Sequence, residues 1–394
     1  MKVLMILDNE FPPDIRVENE IKVLVENGLD LHVACFTLKD KPEVEHYNGY
    51  TIHRKKISSF IYKSSIGALI FPFYFNFWRS FIHKLFKEQS FDAVHVHDLP
   101  MAKIGYEVKR KYGALFILDL HENWPALLRI SMHTQSFLGK LLSHNKSWER
   151  FEKKYTKLAD RVIVVVGEAK ERLTKITGLE ENILVVSNTL NLEKIPSLKL
   201  KKEKEQTILF YGGAINFHRG LQSVIHAMKK IIPIDDTLRL WIVGDGSYKI
   251  ELEKITKALN IEPYIKFFGY RPNKELLEIL SQSDIALIPH LISDHTNSTI
   301  PHKLFQYMYY EKPIVSSKCI PLKRIIDETQ AGFTYNPENL DELAKAIVEA
   351  RDHLKKNTVL KKSTKSWVEE KYNWKIDQDR LLNMYQKIKQ RRSL

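Results

Sequence analysis

The stretch Ile208-Leu209-Phe210-Tyr211-Gly212-Gly213-Ala214-Ile215-Asn216-Phe217-His218-Arg219-Gly220-Leu221 decides the fold class. Ile208–Tyr211 reads as a buried strand, a glycine pair ends it, and Arg219-Gly220-Leu221 opens a helix. Strand, glycine turn and helix make the unit from which parallel α/β sheets are built. Glycines at such a turn let backbone N–H groups approach a phosphate, and an arginine beside it can pair with diphosphate oxygens bidentately. A tight turn needing positive φ explains the glycine pair equally well on its own; Arg219 tips the balance toward phosphate. Neither this spacing nor Gly244-Asp245-Gly246 is the dinucleotide fingerprint.

The same alternation extends both ways. Leu238–Val243, Ile265–Phe268, Ile285–Ile288, Pro313–Ser316 and Phe333–Tyr335 are apolar, strand-like runs downstream. Val3–Leu7, Leu31–Cys35, Ala93–Val96, Leu115–Leu118, Val162–Val166 and Ile183–Val186 precede. Their continuity predicts parallel strands buried on both faces. Helical stretches lie between, such as Val17–Asn27, with Val17, Ile21, Leu24 and Val25 on one face and Gly28 as the stop. Two successive doubly wound units follow, over residues 1–190 and 207–370. Residues 191–206, with Pro196 and a lysine run, read as a linker. From Trp367 onward a basic helix carries Trp374, Leu381, Leu382, Met384 and Tyr385 on its apolar side.

Composition bounds the partners. A chain of 394 residues suits two domains, and 44% hydrophobic with 28% charged residues excludes a disordered chain. The most apolar stretch, Ile66–Trp78, contains Pro72 and falls short of the roughly twenty residues a spanning helix needs. Met1–Leu7 is a short apolar strand running into Asp8, Asn9 and Glu10, which argues against a signal peptide. Two distant cysteines in apolar surroundings, Cys35 and Cys319, predict a reduced, cytoplasmic protein. The net charge of +13 calls for an anionic partner. No zinc spacing or RNA-binding motif accompanies it, and the lysines are dispersed apart from 198–204 and 387–392. That pattern favours an anionic surface over nucleic acid.

A second element lies between two predicted strands: Asn297-Ser298-Thr299-Ile300-Pro301-His302-Lys303-Leu304-Phe305-Gln306-Tyr307-Met308. Pro301 suits the first turn of a helix, and the hydroxyls before it can cap that turn or meet an anion. Lys303 and Gln306, three apart, can face one cleft while Leu304, Phe305 and Met308 pack inward. Taken alone, this segment is better explained as an amphipathic helix with a solvated Lys303.

Pro301–Met308 followed by Lys312-Pro313-Ile314-Val315-Ser316-Ser317 resembles the donor-site segment of GT-B glycosyltransferases of family four. Phe11-Pro12-Pro13-Asp14-Ile15-Arg16 resembles the family's opening, and Val94–Asp98 and Asp119–Glu122 its N-domain pattern. Ala159–Val164, Ser187-Asn188, Val243–Gly246, Phe268–Tyr270 and Tyr372–Trp374 continue it in the family's order. The resemblance implies an α/β, GT-B architecture: two Rossmann-like domains facing across a cleft, with residues 371–394 as a helix crossing back to the first. It implies a retaining, metal-independent enzyme that moves a sugar from a UDP- or GDP-linked donor to a saccharide or lipid-linked acceptor in cell-surface polysaccharide or glycolipid synthesis. No cofactor is implied beyond that donor. Donor contacts would come from Gly212, Gly213, Arg219, Gly244, Tyr270, Ser298, Thr299, Ile300, Lys303 and Gln306. Arg219 and Lys303 would meet the leaving diphosphate together with backbone amides, and His121 would stand beside the transferring sugar. Asp14, Arg16, His97, Asp98 and Glu122 fall on the acceptor side. The lone Asp-x-Asp, Asp377-Gln378-Asp379, lies in the terminal helix rather than at a diphosphate.

The chain departs from the family at three positions. Counting back from Tyr307-Met308, Gln306 and Ser298 stand where two glutamates are usual, and Gly213 where many members place a diphosphate-binding arginine. A non-catalytic nucleotide- or partner-binding GT-B protein is therefore a competing reading, with a nucleotide-sugar epimerase or a phosphorylase as further alternatives. Separately, Ile57–Phe86 is dense in aromatic and basic residues. Core packing explains it as well as a contact with an anionic membrane or a lipid-tailed acceptor, which would make the protein peripheral at the inner membrane face.

Overall fold

The computed structural model describes residues 1–130, 145–196, 206–355 and 363–392. It divides into two compact units, Met1–Asn188 with Lys375–Leu394, and Thr189–Trp374.

The first unit holds an eight-stranded sheet: β1 Lys2–Leu7, β2 Asp30–Thr37, β3 Val44–Tyr47, β4 Tyr50–Lys56, β5 Ala93–His97, β6 Leu115–Leu120, β7 Arg161–Val164 and β8 Ile183–Val185. Their order is β3-β4-β2-β1-β5-β6-β7-β8, and every pairing is parallel except β3 with β4. The second unit holds β9 Thr207–Gly212, β10 Leu238–Val243, β11 Ile265–Gly269, β12 Ile285–Ile288, β13 Ile314–Ser317 and β14 Gly332–Tyr335. These are wholly parallel in the order β11-β10-β9-β12-β13-β14. Central strands such as Val3–Ile6 and Ile208–Tyr211 are fully buried, as their unbroken apolar runs require. Amphipathic helices cover the faces: Leu221–Ile231 turns Leu221, Val224, Ile225, Ala227, Met228 and Ile231 into the second core.

The hairpin β3–β4 corrects the expectation of a purely parallel sheet. It is an exposed edge whose four-residue β3 is exposed or half-buried, so no apolar run marks it. Its signal is the turn Asn48-Gly49, both at positive φ (47° and 86°), the pattern of a two-residue hairpin loop. The tail also differs from one continuous helix. Thr364–Glu370 ends before Lys371–Asn373, and a second helix runs Trp374–Arg392. The Asn373 side-chain amide donates to the carbonyls of Val368 and Glu369, and Trp374 N–H donates to Leu190 O at 2.7 Å, which fixes the break. The lysine-rich part of the expected linker, residues 197–205, lies outside the described residues.

Each sheet has one point where chain order reverses. β1 is followed on one side by β2 and flanked on the other by β5; β9 is followed by β10 and flanked by β12. Open α/β sheets bind ligands at the carboxyl ends of the strands at such points. Both groups of functional candidates sit there.

Candidate functional site

In the first unit, Asp14 caps the helix Ile15–Glu26 that follows β1. Its carboxylate accepts from Arg16 N at 3.1 Å, Arg16 Nε at 3.2 Å and Arg16 Nη2 at 3.1 Å. Burial opposes both charges, yet the pair outweighs it: Arg16, with His121 and His97, holds the Asp14 carboxyl below its usual range, and Asp14, Asp98 and Glu122 raise the Arg16 guanidinium. Asp98 follows β5 at φ 65°. Its pKa is raised, chiefly by burial. The expected acceptor-side residues thus converge on one sheet edge.

Beneath them lies a network that joins His97 and His121, both expected from the sequence, to His95, Asp119, Glu20 and Tyr385, which are given no role there. His95 and His97 alternate along β5, Asp119 and His121 along β6 and just past its end, and His97 pairs in register with Asp119. Residues two apart on a strand share a face, so all four project to one side. Asp119 Oδ2 lies 3.2 Å from His121 Nε2, 3.4 Å from His97 Nδ1 and 3.6 Å from His95 Nε2. His97 Nδ1 and His121 Nε2 are themselves 3.2 Å apart. Tyr385, from the terminal helix, bonds His95 Nδ1 at 2.9 Å, and Glu20 Oε2 stands 4.0 Å from His95 Nε2. Every one of these side chains is buried.

Charge separates within the network. Burial works against a protonated His121, but the Asp119 carboxylate prevails and lifts its pKa to about 9. Asp119 is held well below the usual carboxylate range by His121 and the other imidazoles, despite burial. Burial, then the neighbouring His97, pushes His95 down to about 4, and His97 is also lowered by burial. Burial, then the charge of Asp119, raises the Glu20 carboxyl. The result is one imidazolium–carboxylate pair walled by groups that favour neutrality. Among the described residues, Glu20, His95, His97 and Asp119 also place donor atoms within 4.8 Å of one another, a set that could hold a divalent cation.

In the second unit, the turn after β9 meets the segment after β12. Arg219 Nη1 lies 3.0 Å from His290 Nε2, and the buried Arg219 Nε has no hydrogen-bond partner among the described residues. Lys303 opens the helix Lys303–Tyr309, two residues past Pro301, whose carbonyl accepts from Leu304 N–H. Its ammonium sits over the Tyr211 ring, 4.0 Å from the centroid. Neither cation makes an ion pair among the described residues. Desolvation, with Arg219 second, lowers the Lys303 pKa well below the usual lysine value. His290 is likewise lowered by burial and by Arg219 and Lys303, and His218 is lowered to about 4 by burial and then Arg219. A half-buried arginine and lysine thus stand beside histidines, with no carboxylate paired to either among the described residues, and concentrate positive charge there. Gly213 (φ +134°) makes room for the Lys303 head: a Cβ there would lie 2.8 Å from Lys303 Nζ.

Other expected donor contacts are placed differently. Gly212 N–H donates to Tyr307 OH at 3.2 Å, and Gly213 N–H to Val243 O at 2.8 Å. Both amides already have partners inside the fold. Gly244 N–H is likewise bonded to Gly269 O. Ser298 Oγ donates to Asp294 O at 2.6 Å and Thr299 Oγ1 to His295 O at 3.1 Å. Ile300 is buried, Gln306 half-buried, and Tyr270 is 73% exposed at the end of β11. The carboxylate of Asp377 is buried against Arg380 Nη1 at 2.9 Å rather than forming half of an open acidic pair.

Comparison with known proteins agrees with this fold. The family profile "Glycosyltransferase Family 4" matches residues 15–194, and "Glycosyl transferases group 1" matches residues 192–367. An uncharacterized glycosyltransferase of Haemophilus influenzae is 26% identical over 47% of this chain and 50% of its own. The chain thus spans only about half the length of that relative. The phosphatidyl-myo-inositol mannosyltransferase of Mycobacterium leprae is 19% identical over 79% of this chain and 77% of its own. Among solved structures, sucrose-phosphate synthase from Thermosynechococcus elongatus superposes with a TM-score of 0.78 at 14% identity, covering 98% of both chains. Two contiguous profiles over residues 15–367, on two sheets of this topology, place the chain in the family-four glycosyltransferases of GT-B fold.

Proposed function

We propose that the protein is a retaining glycosyltransferase that transfers a sugar from a UDP- or GDP-linked donor to a saccharide or lipid-linked acceptor, in polysaccharide or glycolipid synthesis. One observation carries the reading: Arg219 and Lys303 converge at the switch point of the second sheet with no carboxylate paired to either. A nucleoside diphosphate supplies the missing charge. HepE of Anabaena, solved with UDP and glucose bound, superposes with a TM-score of 0.73 at 15% identity over 98% of this chain and 100% of its own.

In this reaction the bond from the anomeric carbon to the diphosphate breaks and a bond to the acceptor oxygen forms on the same face. The two cations take the charge that develops on the leaving diphosphate, which gives the step a route without a resident metal. With a pKa of about 9, His121 carries its proton at neutral pH. It serves as a hydrogen-bond donor to a sugar or acceptor hydroxyl, not as a base. Asp14, Arg16, Asp98 and Glu122 recognise the acceptor. The protein works in the cytoplasm, peripheral to the inner membrane face; no helix among the described residues is long and apolar enough to cross a membrane.

Calorimetric titration with UDP and GDP tests the donor site. Arg219→Ala and Lys303→Ala should each weaken binding by about ten- to a hundredfold; unchanged affinity in both rejects it. One observation favours a second reading, nucleotide binding without transfer. The Ser298 hydroxyl is spent on backbone carbonyls at a position where the family usually carries a carboxylate. Tight nucleotide binding with neither donor hydrolysis nor transfer to any acceptor would select it.

A further inference from the structure

The aromatic segment divides residue by residue. On the helix Phe73–Glu88, Tyr74, Phe75, Phe77, Trp78, Phe81, Ile82 and Leu85 are buried and belong to the core. The residues before it do not. Phe60 is 67% exposed, Ile70 50% and Phe73 46%, with Tyr62, Ile66 and Phe71 exposed beside them. These six fall within fourteen consecutive positions, whereas the other exposed large apolar residues of the described chain are scattered. They also touch: Phe60 and Phe73 rings are 5.6 Å apart, and Phe71 stacks on Phe73 at 6.2 Å. The edge-on contact of Tyr62 with Phe36 ties the cluster to β2.

The segment that carries this patch has charge of one sign. From His46 to Lys87 the chain has no aspartate or glutamate, yet it contains Arg54, Lys55, Lys56, Lys63, Arg79, Lys84 and Lys87. Arg54, Lys56, Arg79 and Lys84 are paired with Glu45, Asp40, Glu107 and Glu88, but exposed Lys63, inside the patch, makes no ion pair among the described residues. An exposed aromatic cluster of this size marks a contact surface. A protein partner would have to match stacked rings with an unpaired lysine among them. A bilayer with anionic headgroups offers both complements at once, with acyl chains for the rings and phosphates for the lysines.

We propose that Phe60–Phe73, with Lys63, is the surface by which this protein docks on an anionic membrane. The turn inserts Phe60, Ile66, Ile70 and Phe71 at the headgroup–acyl boundary, while Lys63 stays at the phosphates with its aliphatic stem buried. This extends the proposed function by naming a surface, and its test needs no nucleotide or sugar, so its failure leaves the donor-site reading untouched.

The full chain is sedimented with vesicles of phosphatidylcholine alone and of phosphatidylcholine with phosphatidylglycerol. Binding is expected only to the anionic vesicles, and to fall with salt. The double variant Phe60→Ser/Phe71→Ser should weaken it on the order of tenfold or more, and Lys63→Glu should weaken it on anionic vesicles. Hydrogen exchange of the wild-type chain gives a readout that survives any folding defect: adding anionic vesicles should protect residues 58–73. Absence of binding, equal binding of the variants, or protection elsewhere only would overturn the proposal. So would light scattering showing a dimer that the double variant dissolves, since the patch would then face a second copy.

Discussion

Nε2 of His121 stands 3.2 Å from Oδ2 of Asp119, with both side chains buried. A buried imidazolium is tolerated only beside such a partner, so the carboxylate decides the protonation state of the histidine above it.

Asp119→Asn keeps the shape and removes the charge. The His121 pKa then falls from about 9, and the high-pH limb of any transfer activity should move to lower pH. Stability should respond with a defined sign. His121 is raised in the folded state, so its contribution is complete below the unfolded value of about 6.5 and is lost as pH rises through about 9. Asp119 is lowered, so its contribution is present above about 3.8 and is lost as pH falls through its depressed pKa. The melting-temperature gap between wild type and variant should therefore be widest near pH 4–6.5 and close toward pH 9. A gap independent of pH would reject the pair. His121→Ala, by contrast, should lower turnover while leaving UDP affinity in place, because the diphosphate cations lie in the other unit.

The depressed Lys303 ammonium makes nucleotide binding proton-linked. An arriving diphosphate favours the charged form, so above the free-state pKa of Lys303 binding draws in a proton. UDP affinity should fall as pH rises, and titrations in buffers of different ionisation enthalpy should show net proton uptake. Lys303→Arg, which stays charged at every accessible pH, should flatten the dependence. A wild-type affinity that is flat with pH would show that Lys303 does not face the anion.

Glu20, His95, His97 and Asp119 could take a cation by proximity, and several of their atoms have no hydrogen-bond partner among the described residues, but the charge beside them argues against one. Tyr385 already occupies His95 Nδ1. Three imidazole nitrogens turn to a single oxygen of Asp119, and the charged His121 lies 3.2 Å from that oxygen, where a dication would meet repulsion. Elemental analysis of the purified protein should find well under one equivalent of zinc or manganese, and chelator should leave activity and melting temperature unchanged. A stoichiometric metal that leaves on Asp119→Asn would reverse this.

How much of this was legible depended on how each residue is held. Parallel core strands such as β1 and β9 announce themselves because both faces are buried and the apolar run is unbroken. β3 had no such run, and only Asn48-Gly49 marked its turn. At the site, Arg219, Lys303, His97 and His121 stood out by position after a strand or at a helix start. His95 and Asp119 were visible as His-x-His and Asp-x-His on neighbouring strands, a two-residue period that puts them on one face. Glu20 looked like any charge on an amphipathic helix, and Tyr385 reaches His95 across 290 positions of sequence. His290 and His218 likewise gave no local sign that folding would bring them to Arg219.

The departure at Gly213 has a geometric explanation with a consequence. Where the family resemblance leads one to expect an arginine, this chain has a residue without a side chain, and the Lys303 ammonium lies 2.8 Å from where a Cβ would be. The φ of +134° further penalises any L side chain. Gly213→Ala should therefore act twice, straining the turn and pushing the flexible lysine head off the Tyr211 ring, away from Arg219. UDP binding should weaken by roughly tenfold, the scale of a lost charge-assisted contact. In a Lys303→Ala background the same substitution should add little to the loss in affinity, because the group it displaces is already gone. Additive losses would mean that Gly213 serves the ligand directly, through its backbone, and not by leaving space for Lys303.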